Sequence, residues 1–169
     1  MKILINDANI LIDLVKVDLF NQFADLPYDL YTTDFILSEV DQKEELNELI
    51  EGGKLSIIVT AEVEDFRGIY SLLEGSSGLS FEDCSAWYYS KKMNGTLVTG
   101  DGKLRKIVQR NMIEVRGIIF ILDEILNKGL INFQTAIEKI ELLYKLNNRL
   151  PQKELKKRID LWEKGKHAE

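Results

Sequence analysis

Cysteine and histidine are almost missing from this sequence of 169 residues, which contains only Cys84 and His167 of these types. A single cysteine excludes an internal disulfide framework, and the two residues together are too few to form a zinc-ligand set. Few cysteines also fit a reducing compartment, so we expect a cytoplasmic protein.

A long uninterrupted apolar run is also missing. The apolar start of the chain meets Asn6 and Asp7 too early for the core of a signal peptide or for a membrane span. We therefore expect a soluble protein without a membrane segment. A length of 169 residues with 45% hydrophobic residues suits one compact domain with at most an appendage.

Basic residues are scarcer than acidic ones, 22 against 28, which gives a formal net charge of −6. This balance argues against a general electrostatic grip on nucleic acid, unless several acids form a metal site whose cations invert the local field. The sequence has no Gly-rich phosphate loop ending in lysine, no GxGxxG after its first strand and no Ser-His-Asp arrangement. Hydride transfer and nucleotide hydrolysis by those routes are unsupported.

Up to about residue 125 the chain alternates short apolar runs with amphipathic stretches, which predicts βα units on a parallel sheet. The predicted strands cover residues 2–6, 30–33, 55–59, 96–99 and 117–122. The predicted helices cover residues 10–15, 35–50, 61–73, 81–93 and 103–111. The fold class is therefore α/β.

Beyond residue 125 the pattern is helical only. Apolar residues from Ile137 to Leu146 follow helical spacing, and Pro151 restarts a segment with Leu155, Ile159 and Trp162 on a narrower stripe. We predict a catalytic domain over 1–130 and a helical extension over 131–169. The extension packs on the domain or forms a dimer or partner surface.

Four acidic residues stand next to predicted strand ends and helix starts. Asp7 and Asp101 follow the first and fourth strands, where each suits a helix N-cap. Asp83 comes three residues after Ser80, as in a capping box, and Glu39 lies one turn into a helix, where an acid suits the helix dipole. Each acid alone is more typical of a structural role.

Their combined placement favours a functional site. If the strand order is 3-2-1-4-5, the crevice where ligands bind lies between strands 1 and 4, beyond their carboxyl ends. Carboxylates that meet there repel one another unless they bind protons or cations. An all-oxygen site suits Mg²⁺ or Mn²⁺, which can activate water and stabilise charge during phosphodiester cleavage.

Four segments carry a resemblance to a known family, and they are Ile5–Asp13 (INDANILID), Ser38-Glu39, Leu79–Ala86 (LSFEDCSA) and Val98–Arg105 (VTGDGKLR). In order and context they resemble the PIN-domain family, which includes the toxin ribonucleases of bacterial VapBC-type toxin–antitoxin modules. The resemblance covers about the first 125 residues.

The resemblance implies a Rossmann-like three-layer α/β/α sandwich and an endoribonuclease that uses Mg²⁺ or Mn²⁺. By position, the catalytic and metal-binding acids are Asp7, Glu39, Asp83 and Asp101. Asn9 orients Asp7, the Thr99 hydroxyl bonds a metal-bound water, and Lys103 and Arg105 reach substrate phosphate or remain solvated. The implied partners are RNA, a cognate antitoxin protein and a second copy in a homodimer.

Two other interpretations stay open. The first is a PIN-like module that binds nucleic acid or protein without cleavage. The second is a receiver-like or phosphatase-like Rossmann-type protein in which Asp7 is phosphorylated. The second residue after Asp7 is Asn9, so the paired aspartates usual in such phosphatases are missing.

Overall fold

A five-stranded parallel sheet forms the centre of the protein, in a computed structural model that describes residues 2–41, 43–147 and 150–166. The strands are β1 (Lys2–Asn6), β2 (Tyr28–Thr33), β3 (Leu55–Ile58), β4 (Thr96–Val98) and β5 (Val115–Arg116). Their order in the sheet is β3-β2-β1-β4-β5, as predicted.

Ten helices of the described residues flank and extend this sheet. They are α1 (Ala8–Lys16), α2 (Phe20–Ala24), α3 (Asp34–Glu39), α4 (Lys43–Glu51), α5 (Val63–Gly75), α6 (Phe81–Lys92), α7 (Gly102–Arg110), α8 (Ile118–Asn127), α9 (Phe133–Leu146) and α10 (Gln152–Lys166). None of the helices in the described ranges is long and apolar enough to cross a membrane. The α/β sandwich predicted from the sequence is confirmed.

Strand β1 lies in the middle of the sheet, with β2 on one side and β4 on the other. Ile5 is in register with Tyr31 of β2 and with Leu97 of β4. Leu4 and Ile5 are fully buried, as expected for a central strand of a parallel sheet. Chain order reverses between β1 and β4, so a crevice opens beyond their carboxyl ends.

The predicted fifth strand at residues 117–122 is wrong. Strand β5 occupies Val115–Arg116, and the apolar run that follows forms α8. Ile118, Ile121, Leu122 and Ile125 are its buried residues, at the i, i+3, i+4, i+7 spacing of a helix. A short apolar run has the same appearance whether it forms a buried strand or a buried helix.

The single helix predicted at residues 35–50 is also wrong, because the chain forms α3 and α4 there. Val40, the C-cap of α3, has an extended backbone and a fully buried side chain. No glycine or proline marks this break, so the sequence gives no stop signal. The short helix α2 was not predicted at all.

Both C-terminal helices were predicted, and they pack in series. Helix α9 packs against α8, and α10 packs mainly against α9. Ile140 and Trp162 are buried, whereas Leu146 is half exposed. An ion pair of 3.2 Å between Arg158 and Asp123 also ties α10 to α8.

Candidate active site

Asp7 lies at the carboxyl end of β1 and is the N-cap of α1, as its sequence context predicts. One carboxylate oxygen accepts a hydrogen bond from the Ala8 backbone N–H at 2.7 Å. The other accepts from the Asn9 amide at 2.5 Å and from the Thr99 hydroxyl at 2.6 Å. The side chain is therefore fixed from both sides of the crevice, and only 5% of Asp7 is exposed.

The environment of Asp7 disfavours its charge. Burial is the main cause and raises the pKa of this carboxyl to about 6, and the negative charge of Asp83 acts in the same direction. The hydrogen bonds from Thr99, Ala8 and Asn9 lower the pKa and offset part of the rise. The pKa of Asp7 thus lies above the usual range of an aspartic acid, in a position where a cation would relieve the cost of its charge.

Thr99 and Asn9 join the ends of β1 and β4. Besides donating to Asp7, the Thr99 hydroxyl accepts from the Asp101 backbone N–H at 3.0 Å. The Asn9 carbonyl oxygen accepts from the Gly100 N–H at 2.8 Å, while its amide donates to Asp7. Asn9 and Thr99 thus both donate to Asp7, while the orienting role of Asn9 and the bond from Thr99 to a metal-bound water stay predictions.

Asp83 is fixed by the capping box that starts α6. Its carboxylate accepts from the Ser80 N–H at 2.9 Å, and its own N–H donates to the Ser80 hydroxyl at 3.1 Å. The second carboxylate oxygen accepts nothing from the described residues. Asp83 therefore has both the structural role and a free oxygen near Asp7.

Glu39 ends α3 and faces the same acids. Burial raises its pKa first, followed by the negative charges of Glu82, Asp7 and Asp83. No basic side chain of the described residues acts on its pKa. Glu39, Asp7, Asp83 and Glu82 therefore form one electronegative group.

Glu82 was not among the predicted site residues. It is half buried in the first turn of α6, and of the charges that act on Glu39 it has the largest effect. Its position beside Asp83 was the available signal, but two adjacent acids at a helix start are common because the helix dipole favours them.

Asp101 has a different environment from the other acids. It is the N-cap of α7, where one oxygen accepts from the N–H groups of Lys103 and Leu104 at 2.9 and 2.7 Å. Its charge is not one of those acting on Asp7 or Glu39. Its link to the site runs through the backbone bond to Thr99.

The two predicted phosphate-binding residues differ in where they point. Arg105 is half buried, and its guanidinium donates to the Thr99 carbonyl at 3.1 Å. This hydrogen bond supports the backbone just after β4. Burial lowers its pKa, with a further contribution from Arg116. Lys103 is exposed and its ammonium lies over Gly78.

The described residues contain no group of three or more histidine, cysteine, aspartate or glutamate side chains placed to enclose a metal ion. Free acceptor positions nevertheless remain. Three of the roughly four acceptor sites of the Asp7 carboxylate are used by hydrogen bonds. One oxygen of Asp83 and the whole carboxylate of Glu39 accept no bond from described residues.

A family model described as a PIN domain matches residues 3–164. This range contains all the strands except the first residue of β1, all the acids described above and most of the C-terminal helices. A search of the curated proteins found no match. The sheet order, the acids at its carboxyl edge and the match over nearly the whole chain lead to one conclusion: the chain belongs to the PIN-domain family.

Proposed function

We propose that this protein is a metal-dependent endoribonuclease that hydrolyses RNA phosphodiester bonds. Membership of the PIN-domain family supports a nuclease in general. The observation that carries the proposal is the buried carboxylate of Asp7, held by three hydrogen bonds and exposed to the charge of Asp83.

The donor set fits Mg²⁺ or Mn²⁺. Every candidate ligand is a carboxylate oxygen, and Mg²⁺ usually binds through one or two carboxylates while it keeps several waters. Asp7, Glu39 and Asp83 would hold the cation directly or through water, with Asp101 at the edge of the set. When bound, the cation lowers the pKa of a water and stabilises charge on the phosphate.

The protein side chains supply position and charge. Thr99 and Asn9 hold Asp7 in one orientation, so its remaining lone pair points in a fixed direction. The mutual repulsion of Glu39, Asp7 and Asp83 is a cost that cation binding removes. In hydrolysis, water adds to phosphorus and the bond to the leaving oxygen breaks.

Cleavage of a mixed, structured RNA pool by the purified protein tests the proposal. We expect cleavage with Mn²⁺ or Mg²⁺, none with EDTA, and a loss of at least about 100-fold in Asp7→Asn, the order of magnitude seen when key metal-site groups are removed. Asp13→Asn is the matched control. Asp13 is a second buried aspartate of α1, but it accepts from Asn147 at 3.0 Å, away from the acids.

Absence of cleavage with every metal, together with no measurable Mn²⁺ binding by the folded protein, would overturn the proposal in favour of a non-catalytic module. Equal activity of Asp7→Asn and the parent would show that the activity lies elsewhere or in a contaminant. The toxin role, the antitoxin partner and the homodimer implied by the resemblance stay predictions.

A further inference from the structure

An apolar pocket of about 340 Å³ lies between α5 and the start of α6. Its lining residues are Phe66, Arg67, Tyr70, Ser71, Glu74 and Phe81. Such a volume, with aromatic walls and a few polar groups, is at the small end of ligand sites in proteins. The acids of the candidate active site do not line it, so its chemistry is separate from theirs.

The aromatic side chains of this pocket are unusually exposed. Phe66 and Tyr70 are 41% and 54% exposed, and with Val63, which is 56% exposed, they form a stripe at i, i+3 and i+7 along α5. A contiguous exposed apolar stripe generally marks a surface that contacts another molecule.

The rings are also held in place. Phe35, half buried on α3, packs edge-on against Phe81 and Phe66, with ring centroids 4.8 and 6.0 Å apart. A ring fixed in this way offers a contact surface at little cost in side-chain entropy. Phe66 and Phe81 are therefore held in place before a ligand arrives.

Helices α3 and α6 carry acids of the candidate site as well as aromatic residues in or against the pocket. Phe81 is the first residue of α6, immediately before Glu82 and Asp83, and Phe35 precedes Glu39 by about one turn of α3. The acids and these aromatic side chains are thus neighbours along each helix. A nucleotide strand is a ligand that can occupy both.

We infer that this pocket binds an unpaired nucleobase of single-stranded RNA beside the bond that is cleaved. The inference rests on the proposed function. Aromatic rings stack on any base, and sequence-specific RNA recognition mostly uses bases that are splayed out of a helix. Bases of a duplex are already stacked on each other and cannot enter.

The polar residues of the pocket fit the same occupant. Arg67 is exposed at the rim, and none of the described residues pairs with it, so its guanidinium is available for a phosphate or a base face. The Glu74 carboxylate accepts hydrogen bonds, and an exocyclic amino group offers it two N–H donors where uracil offers only its N3–H, so we expect a preference for adenine over uracil.

Binding of labelled oligonucleotides in EDTA tests the inference without cleavage. We expect Tyr70→Ala to weaken binding of single-stranded oligo-A by about 5- to 100-fold, the usual effect of removing one stacking ring, and Tyr70→Phe to bind like the parent. Tyr144→Ala is the matched control, because Tyr144 is 37% exposed on α9 and does not line the pocket. Oligo-U should bind more weakly than oligo-A, and Glu74→Gln should reduce this difference.

Equal binding by Tyr70→Ala and the parent would overturn the inference, as would a parent that binds duplex as well as single strands. A loss of self-association in Tyr70→Ala with unchanged RNA affinity would assign the stripe to a dimer interface instead. Failure of the nuclease proposal has a different signature, since it appears as absent metal-dependent cleavage and leaves binding in EDTA unaffected.

Discussion

At the scale of single residues, the buried carboxylate of Asp7 links stability to function. Its raised pKa means that the folded protein binds this proton more tightly than the unfolded chain does. Asp7 therefore lowers the stability of the metal-free protein as pH rises from about 4 to about 6, and the loss is complete above that range. A position that costs stability in this way is typical of functional sites.

Asp7→Asn should remove this pH dependence. The pKa of Asp7 rises from 3.8 in the unfolded chain to about 6 in the folded protein. The unfolding free energy of the variant minus that of the parent should therefore increase by about 2 kcal/mol between pH 4.5 and 7.5. Urea unfolding in EDTA at the two pH values measures it. Asp160→Asn, on an exposed part of α10, controls for the loss of one carboxylate.

If the difference in unfolding free energy between the variant and the parent is the same at both pH values, Asp7 is not the group that titrates. Mn²⁺ gives an independent comparison at pH 7.5. It should stabilise the parent and not Asp7→Asn, because a ligand stabilises only the folded state that binds it.

The sequence predicted the local roles of these residues better than their distant contacts. Asp7 and Asp101 are helix N-caps and Asp83 completes a capping box with Ser80, as expected from neighbours within four residues. The bond between Thr99 and Asp7 spans 92 residues, and whether those side chains meet depends on strand register, which no local pattern encodes. The inward turn of Arg105 depends on the same packing.

At the scale of elements, helix α8 is the clearest departure from prediction. Four of the five strands were located to within two residues, because alternation with helical stretches and flanking turns bounded them. The run that became α8 is uniformly apolar at its start, so neither a period of two nor one of 3.6 is visible there. The surrounding protein decides between the two structures.

Substitutions in α8 test its orientation. Leu122→Ala should cost about 2–5 kcal/mol of unfolding free energy, because Leu122 is fully buried, and Ile119→Ala should cost clearly less, because Ile119 is only partly buried. Urea unfolding measures both. A larger cost at Ile119 than at Leu122 would contradict the helical face described here.

At the scale of the whole molecule, the two C-terminal helices pack one on the other and reach the rest of the protein mainly through α8. Helix α10 packs mainly on α9, which packs on α8, so the last helix has little direct contact with the strands. The division into 1–130 and 131–169 remains our proposal. Segments with few contacts to the main core generally open before it does.

Trp162→Ala should loosen α10 and α9 while β1 and β4 stay protected. Trp162 is 3% exposed, so its loss leaves a cavity beneath α10, and hydrogen exchange of the amides reports where the structure opens. Leu161→Ala is the matched control, since Leu161 is 56% exposed one position earlier. Equal loss of protection in β1 would show that extension and sheet unfold as one unit.

The central position of β1 sets the order in which the site can form during synthesis. Thr99, the partner of Asp7, is made 92 residues after it, and β4 must pair with β1 before the two side chains meet. Domains fold as units as they emerge. A nascent chain that ends before Thr99 therefore contains Asp7 without the hydrogen bond that orients it, so the candidate site can form only after β4 has been made and has paired with β1.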